Sequence, residues 1–141
     1  MSRTISEQTL LAMSASDYMN GEQQQFFRDR LVALAGECEK DIASAMAHLR
    51  TPVQEPDPVD AAAEEESCRH RLRFMARQQA LLGKIRDALR RLDGHEYGYC
   101  RISGEPIGLR RLLARPTTEY CAEVKARLEQ NERHFAHQRT G

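Results

Sequence analysis

A decapeptide with three prolines, TPVQEPDPVD (Thr51 to Asp60), separates two long stretches of helical apolar periodicity, and that arrangement leaves the chain few ways to fold. Before it, Phe27, Leu31, Leu34, Cys38, Ile42, Met46 and Leu49 recur at steps of three and four, which draws one apolar stripe down a helix. Asn20, followed by Gly21, Glu22 and Gln23, supplies an N-cap with a glutamine at the capping-box position. The helix is predicted to run from there to about Arg50, a length of roughly 45 Å at 1.5 Å per residue. The prolines cannot continue it. Asp57 then caps a second helix, with Pro58 at its first position and acids at Asp60 and Glu64 in and after the first turn. That helix is predicted to reach about Leu92, its stripe formed by Leu72, Met75, Leu82, Ile85, Leu89 and Leu92.

Two helices of similar length, each with one narrow stripe and joined by a short turn, can bury those stripes only against each other. The prediction is an antiparallel coiled-coil hairpin over residues 20–92 with an acidic tip at 51–62. Helix formers dominate the chain and β-branched residues are scattered, so the fold class is mainly all-α. Aromatics make up 6% of the 141 residues and 30% are charged, which argues against a large compact core beyond one small globular unit. Residues 1–19 read as an N-terminal segment with one short helix between Ile5 and Met13, packing on that unit.

The formal net charge is zero, yet residues 1–60 carry 5 basic and 10 acidic side chains, which leaves 16 and 11 for residues 61–141. A chain acidic early and basic late suits a partner with a patterned surface better than a simple polyanion. No apolar run approaches a membrane span and no signal-peptide pattern is present, so a cytoplasmic location without membrane contact is expected. The four cysteines, Cys38, Cys68, Cys100 and Cys121, do not form a secreted disulfide framework; Cys38 and Cys68 read as small buried hydrophobes within helices.

Thr51 to Cys68 holds six acids (Glu55, Asp57, Asp60, Glu64, Glu65, Glu66) and no base. Helix capping and dipole complementation account for Asp57 and partly for Asp60. The remainder suits a rod that presents carboxylates to something recessed, such as a cationic pocket or a bound divalent metal.

From Leu92 to Thr117 the pattern changes to Gly-rich turn structure, DGHEYGYCRISGEPIGLRRLLARPTT, continued to residue 141 as a globular domain over 93–141. Cys100 and Cys121 stand at the spacing of a four-cysteine zinc ribbon, with Ser103 and Val124 where the other two thiolates belong. Valine has no donor atom and a serine hydroxyl is a poor zinc ligand at neutral pH. His95 and His134 do not sit at ligand spacing. The segment is therefore a degenerate ribbon expected to keep its shape without metal, using Tyr97, Tyr99, Ile102, Ile107, Leu109, Leu112, Leu113 and Val124 in place of the stabilisation a structural zinc supplies. Thr117 or Thr118 is predicted to cap a last helix from about Glu119 to His137, with Val124, Leu128 and Phe135 facing inward.

The tip EPDPVDAAAEEE and the ribbon EYGYCRISGEPIGLRRLLARPTTEYCAEVK together resemble the DksA/TraR family of bacterial RNA polymerase regulators, over roughly Asp17 to Phe135. With two zinc positions lost, the chain is similar to the family's zinc-independent paralogues, thought to stand in when zinc is scarce. The resemblance implies that the coiled coil enters the polymerase secondary channel and brings the tip motif Asp57, Asp60 and Ala62 near the catalytic magnesium. It implies a polymerase-contacting role for Arg77, and binding of the alarmone ppGpp as effector at Leu81, Lys84, Arg115 and Lys125, whose cationic members suit a polyphosphate. It implies no enzymatic activity, no cofactor, no sequence-specific DNA binding of its own, and a monomer that serves the stringent response by repressing ribosomal RNA promoters and activating some biosynthetic ones.

Three other functions compete. A transcript-cleavage factor of the Gre type would use the same acidic hairpin to hold a second magnesium, but its globular domain differs from this ribbon. A generic coiled-coil adaptor would tolerate substitutions at the tip. A nucleic-acid-binding zinc ribbon is disfavoured by the missing ligands, zero net charge and few aromatics. No nucleophile–base set or phosphate-binding glycine loop supports an independent enzyme.

Overall fold

The computed structural model describes residues 3–50 and 57–139, and the proline-bearing stretch Thr51 to Pro56 lies outside them. Helix α1 (Glu7–Ala12) is followed by a single 3₁₀ turn (Ala15–Asp17), then by α2 (Gly21–Arg50), α3 (Pro58–Asp93), α4 (Leu109–Ala114) and α5 (Ala122–Arg139). Among the described residues extended pairing is confined to one antiparallel bridge, Tyr99 with Pro106. The fold is mainly helical, as the sequence predicts, and the two long helices pair as a hairpin. No described helix is long and apolar enough to cross a membrane.

The caps at both helix starts follow the local sequence. Asn20 Oδ1 accepts from the Gln23 amide at 2.9 Å, which starts α2. The reciprocal bond of the capping box is shifted by one residue: Gln23 Oε1 accepts from the Met19 amide, while the Asn20 amide donates to the Asp17 carbonyl. This leaves Gln23 fully buried yet satisfied, and fixes Met19 in a left-handed conformation (φ 56°). Asp57 starts α3 as expected, its Oδ1 accepting from the amides of Val59 and Asp60 at 3.1 and 3.0 Å.

Two compact units divide the chain, residues 32–86 in one and residues 1–31 with 87–141 in the other. In the first, Cys38 and Ala45 of α2 and Leu82 and Ile85 of α3 are buried. Ile42, Leu49, Cys68, Met75, Gln78 and Leu81 are half-buried around them. The α2 seam thus follows Leu31, Cys38 and Ala45 at steps of seven, a coiled-coil rather than a straight-helix period. That period corrects two expectations: Met46 and Leu72 fall beside the seam and are 37% and 51% exposed.

In the second unit Leu10, Phe26, Phe27, Leu31, Ala88, Leu92, Tyr97, Ile107, Leu112 and Val124 are buried. Phe27 packs edge-on against Phe26 and lies against Tyr97 at a centroid distance of 5.6 Å. Arg28 of α2 pairs with Asp93 at the end of α3 at 2.8 Å, so within this unit the start of one helix lies beside the end of the other.

Candidate functional site

The degenerate ribbon is built from two turns. In the first, the Gly104 amide donates to the Cys100 carbonyl and the Cys100 amide to the Glu105 carbonyl, while the Ile107 amide returns to Gly98. Gly98, Gly104 and Gly108 all take positive φ there, a conformation that favours glycine. At Gly98 the constraint is also steric, since a Cβ would lie 2.8 Å from the Met19 side chain. The second turn brings Glu119, Tyr120 and Cys121 against the first: the Arg101 amide donates to the Glu119 carbonyl, and Arg111 Nε to that of Tyr120.

Those two bonds correct the expected start of the last helix. With the carbonyls of Glu119 and Tyr120 held by the first turn and by α4, the helix begins at Ala122. Its first turn closes through the Lys125 amide on the Cys121 carbonyl, and Thr118 donates to the Tyr120 carbonyl instead of capping. Phe135 does not face inward either, being 65% exposed. Helix α4 was legible as LRRLLA, helix-forming residues with leucines at steps of three and four between Gly108 and Pro116, but reads at first as part of the turn structure.

At the four ribbon positions, Cys100 and Val124 are buried at 3% exposure, Cys121 is half-buried and Ser103 exposed. Ser103 Oγ lies 3.8 Å from Cys121 Sγ. Burial raises the pKa of the Cys100 thiol, but hydrogen bonds from the Ser103 hydroxyl and from the amides of Ser103, Cys121 and Ile102 outweigh it and bring the thiol down to about 6. These residues do not fit a structural zinc: the fourth position is a buried hydrocarbon, and among the described residues no cluster of three or more His, Cys, Asp or Glu side chains is placed to hold a metal. Neither His95 nor His134 joins such a cluster among the described residues; the His134 ring contacts Gln138 along α5.

Of the apolar residues expected to replace the metal, Tyr97, Ile107, Leu112 and Val124 are buried and Leu109 and Leu113 half-buried, whereas Tyr99 and Ile102 are exposed at 37% and 62%. Polar bonds that sequence reasoning missed join these residues in holding the turns together. The Tyr97 hydroxyl donates to the Pro116 carbonyl at 2.7 Å, and burial pushes its pKa well up. Glu119 pairs with Arg91 at 2.9 Å and with Arg101 at 3.3 Å, tying α3, the first turn and the second turn together. The Tyr18 hydroxyl, 80 residues away in sequence, donates to Gly98 and accepts from Gly108.

The other candidate residues lie in both units. Asp57, capping α3, and Asp60 and Ala62, in its first two turns, are exposed, and Arg77, Leu81 and Lys84 follow along that helix at steps of four and three, so these three share a face. Leu81 is half-buried against the hairpin seam, with Arg77 and Lys84 exposed on either side of it. Arg115 ends α4 and is exposed; Lys125, in the first turns of α5, is half-buried and lies 3.9 Å from Glu129.

Comparison with known proteins accords with this arrangement. Residues 23–92 match the DnaK suppressor protein DksA N-terminal domain, and residues 95–130 the prokaryotic dksA/traR C4-type zinc finger, in spite of the two missing ligands. The chain is 39% identical over 121 residues to the RNA polymerase-binding transcription factor DksA of Haemophilus influenzae, covering 85% of this chain and 83% of that one. It is 36% identical to the Escherichia coli K12 protein of the same name, covering 85% and 80%. The structure of transcription factor DksA2 from Pseudomonas aeruginosa superposes with a TM-score of 0.82 and 45% identity, over 92% of this chain and 100% of that one. The chain belongs to the DksA/TraR family.

Proposed function

We propose that this protein binds RNA polymerase in the cytoplasm as a monomer, inserts its hairpin into the secondary channel, and there regulates promoter complexes without chemistry of its own. The observation that carries the reading is the tip. Asp57 is committed to capping α3, and that cap leaves Asp60 and Ala62 exposed in the first two helical turns, where a carboxylate can meet the surroundings of a catalytic magnesium. Relatives that carry the name RNA polymerase-binding transcription factor support the partner. Arg77 serves as a polymerase contact on the hairpin. Leu81, Lys84, Arg115 and Lys125 serve the effector ppGpp, with three cations for its phosphates and one apolar side chain for its base.

The same reading includes independence from zinc. A buried Val124, the Glu119 ion pairs and the Tyr18 bridge occupy the role that metal ligation has in a four-cysteine ribbon, which suits a protein that works when zinc is scarce. In vitro transcription from a ribosomal RNA promoter with purified polymerase tests both parts. Inhibition that survives a strong zinc chelator, deepens with ppGpp and vanishes in Asp60→Asn is the expected result. Equal inertness of the native protein and the variant would favour an adaptor, and stimulated transcript cleavage would favour a Gre-type role.

A further inference from the structure

Arginine carries nearly all of the positive charge in this chain, with 18 arginines against three lysines, Lys40, Lys84 and Lys125. Two of those lysines fall in the effector set proposed above, although a guanidinium binds phosphate at least as well as an ammonium does. What a lysine adds is a primary amine that can be acylated, with loss of its charge. The surroundings of the three amines differ. Lys84 is exposed on α3, and Asp87, the acid one turn further on, is taken by Arg90 at 2.9 Å. Ala80, one turn before it, is small and exposed. From Arg69 to Arg86 the helix carries six cations and no acid. Lys40 is also exposed, but on α2 it stands among Glu37, Glu39 and Asp41, which are all exposed too. Among the described residues none of these three acids pairs with a cation of α3. Lys125 is half-buried and lies 3.9 Å from Glu129.

We infer that Lys84 is a site of acylation by acyl phosphates, and that its acylation uncouples the protein from its polyphosphate effector. An acyl phosphate is an anion, so the cationic stretch of α3 raises its concentration around Lys84, while the acids of α2 lower it around Lys40. In the step itself the neutral Lys84 amine attacks the acyl carbon. The C–N bond forms, the bond from that carbon to the phosphate oxygen breaks, phosphate leaves with the electron pair, and the proton shed by the nitrogen passes to water. No oxidant or reductant is needed. The product is an uncharged amide, which can no longer pair with a phosphate oxygen. An arginine at the same position would bind the effector and could not be switched in this way, which accounts for a lysine in a chain that otherwise uses arginine.

The inference rests on the effector reading, so the experiment also follows the untreated protein. The full chain is incubated with acetyl phosphate, and acetyl groups are mapped by mass over time. The expected result is acetylation of Lys84 at least about fivefold faster than that of Lys40 at low ionic strength. That preference should collapse near 1 M salt, where charges are screened within about 3 Å, and should be absent with an uncharged reagent, the N-hydroxysuccinimide ester of acetic acid. In the transcription assay the acetylated chain should need about tenfold more ppGpp for the same inhibition, the loss of one charge-assisted bond. Lys84→Arg, compared with itself before and after treatment, should show no such change, and Lys40→Arg should behave as the native chain. Acetylation of Lys84 no faster than that of Lys40, a preference that salt leaves intact, or an unchanged ppGpp response after Lys84 is acetylated would overturn the inference alone. An untreated native chain indifferent to ppGpp would overturn the effector reading beneath it.

Discussion

The Tyr18 hydroxyl donates to the carbonyl of Gly98 at 2.5 Å while accepting from the amide of Gly108 at 3.0 Å, so one side chain from the N-terminal segment closes both ends of the first ribbon turn. The Tyr18 ring meets Tyr99 edge-on at 5.6 Å, and burial raises its pKa. The Gly98 carbonyl keeps a second donor, the Ile107 amide, whereas among the described residues the Gly108 amide donates to the Tyr18 hydroxyl alone. Tyr18→Phe is therefore expected to lower stability by about 1–2 kcal/mol. Gly98→Ala, which adds a Cβ 2.8 Å from Met19 at a φ of 92°, is expected to cost about 2–4 kcal/mol. Urea unfolding of the two variants reads both values, and a neutral Tyr18→Phe would remove the bridge from any account of stability without metal.

The ion pairs of Glu119 differ in burial, and their contributions should differ with it. Arg91 is 11% exposed and also donates to the Thr117 carbonyl, whereas Arg101 is 59% exposed. Removing the carboxylate in Glu119→Ala leaves a nearly buried guanidinium without its counter-charge, at an expected cost of about 1–3 kcal/mol. Arg101→Gln is expected to cost less than about 0.5 kcal/mol, because solvent screens that pair. Chemical denaturation distinguishes the two, and equal costs would mean that the exposed arm matters as much as the buried one.

Cap-driven features were the most legible in sequence. Asn20 and Asp57 start the long helices where they stand, because capping is decided within four residues. The seam was read less well, since steps of three and four do not distinguish Met46 from Ala45 until the helices coil at a seven-residue period. Tertiary contacts account for the remaining misses. Glu119 and Tyr120 would have joined α5 had their carbonyls not been claimed by Arg101 and Arg111, and nothing near Tyr18 in sequence announces a partner at residue 98. The ribbon's failure to fit zinc, by contrast, was written in Ser103 and Val124, and the buried side chain of Val124 accords with it.

The Cys100 thiol gives stability a pH dependence whose sign follows from its shift. Its pKa lies at about 6 in the folded chain against 9.0 in an unperturbed thiol, so the unfolded state binds the proton more tightly. The contribution is fully present above pH 9 and is lost as pH falls through 6. Stability relative to Cys100→Ala should thus decline between pH 9 and 6, and thiolate absorbance of the native chain should titrate near 6. The comparison with the alanine variant isolates the contribution of this one thiol from that of every other group. A thiolate that titrates near 9 would show that the converging amides do not stabilise the anion.

Asp57 and Asp60 separate the structural from the functional part of the tip. Asp57 Oδ1 holds two amides of α3, whereas Asp60 contributes only its own amide to that cap and leaves its carboxylate exposed. Asn caps as well as Asp, so Asp57→Asn should keep the helix start, while Asp57→Ala should weaken it by about 1 kcal/mol. Asp60→Asn should leave helicity and melting close to native and abolish regulation of transcription. Circular dichroism and the transcription assay, run on all three variants, give the decision. Regulation retained in Asp57→Asn and lost in Asp57→Ala would mean that the first aspartate acts by shaping the tip alone. Regulation lost in both would mean that its charge also reaches the polymerase, a double duty compatible with a cap that engages Oδ1 of an exposed residue.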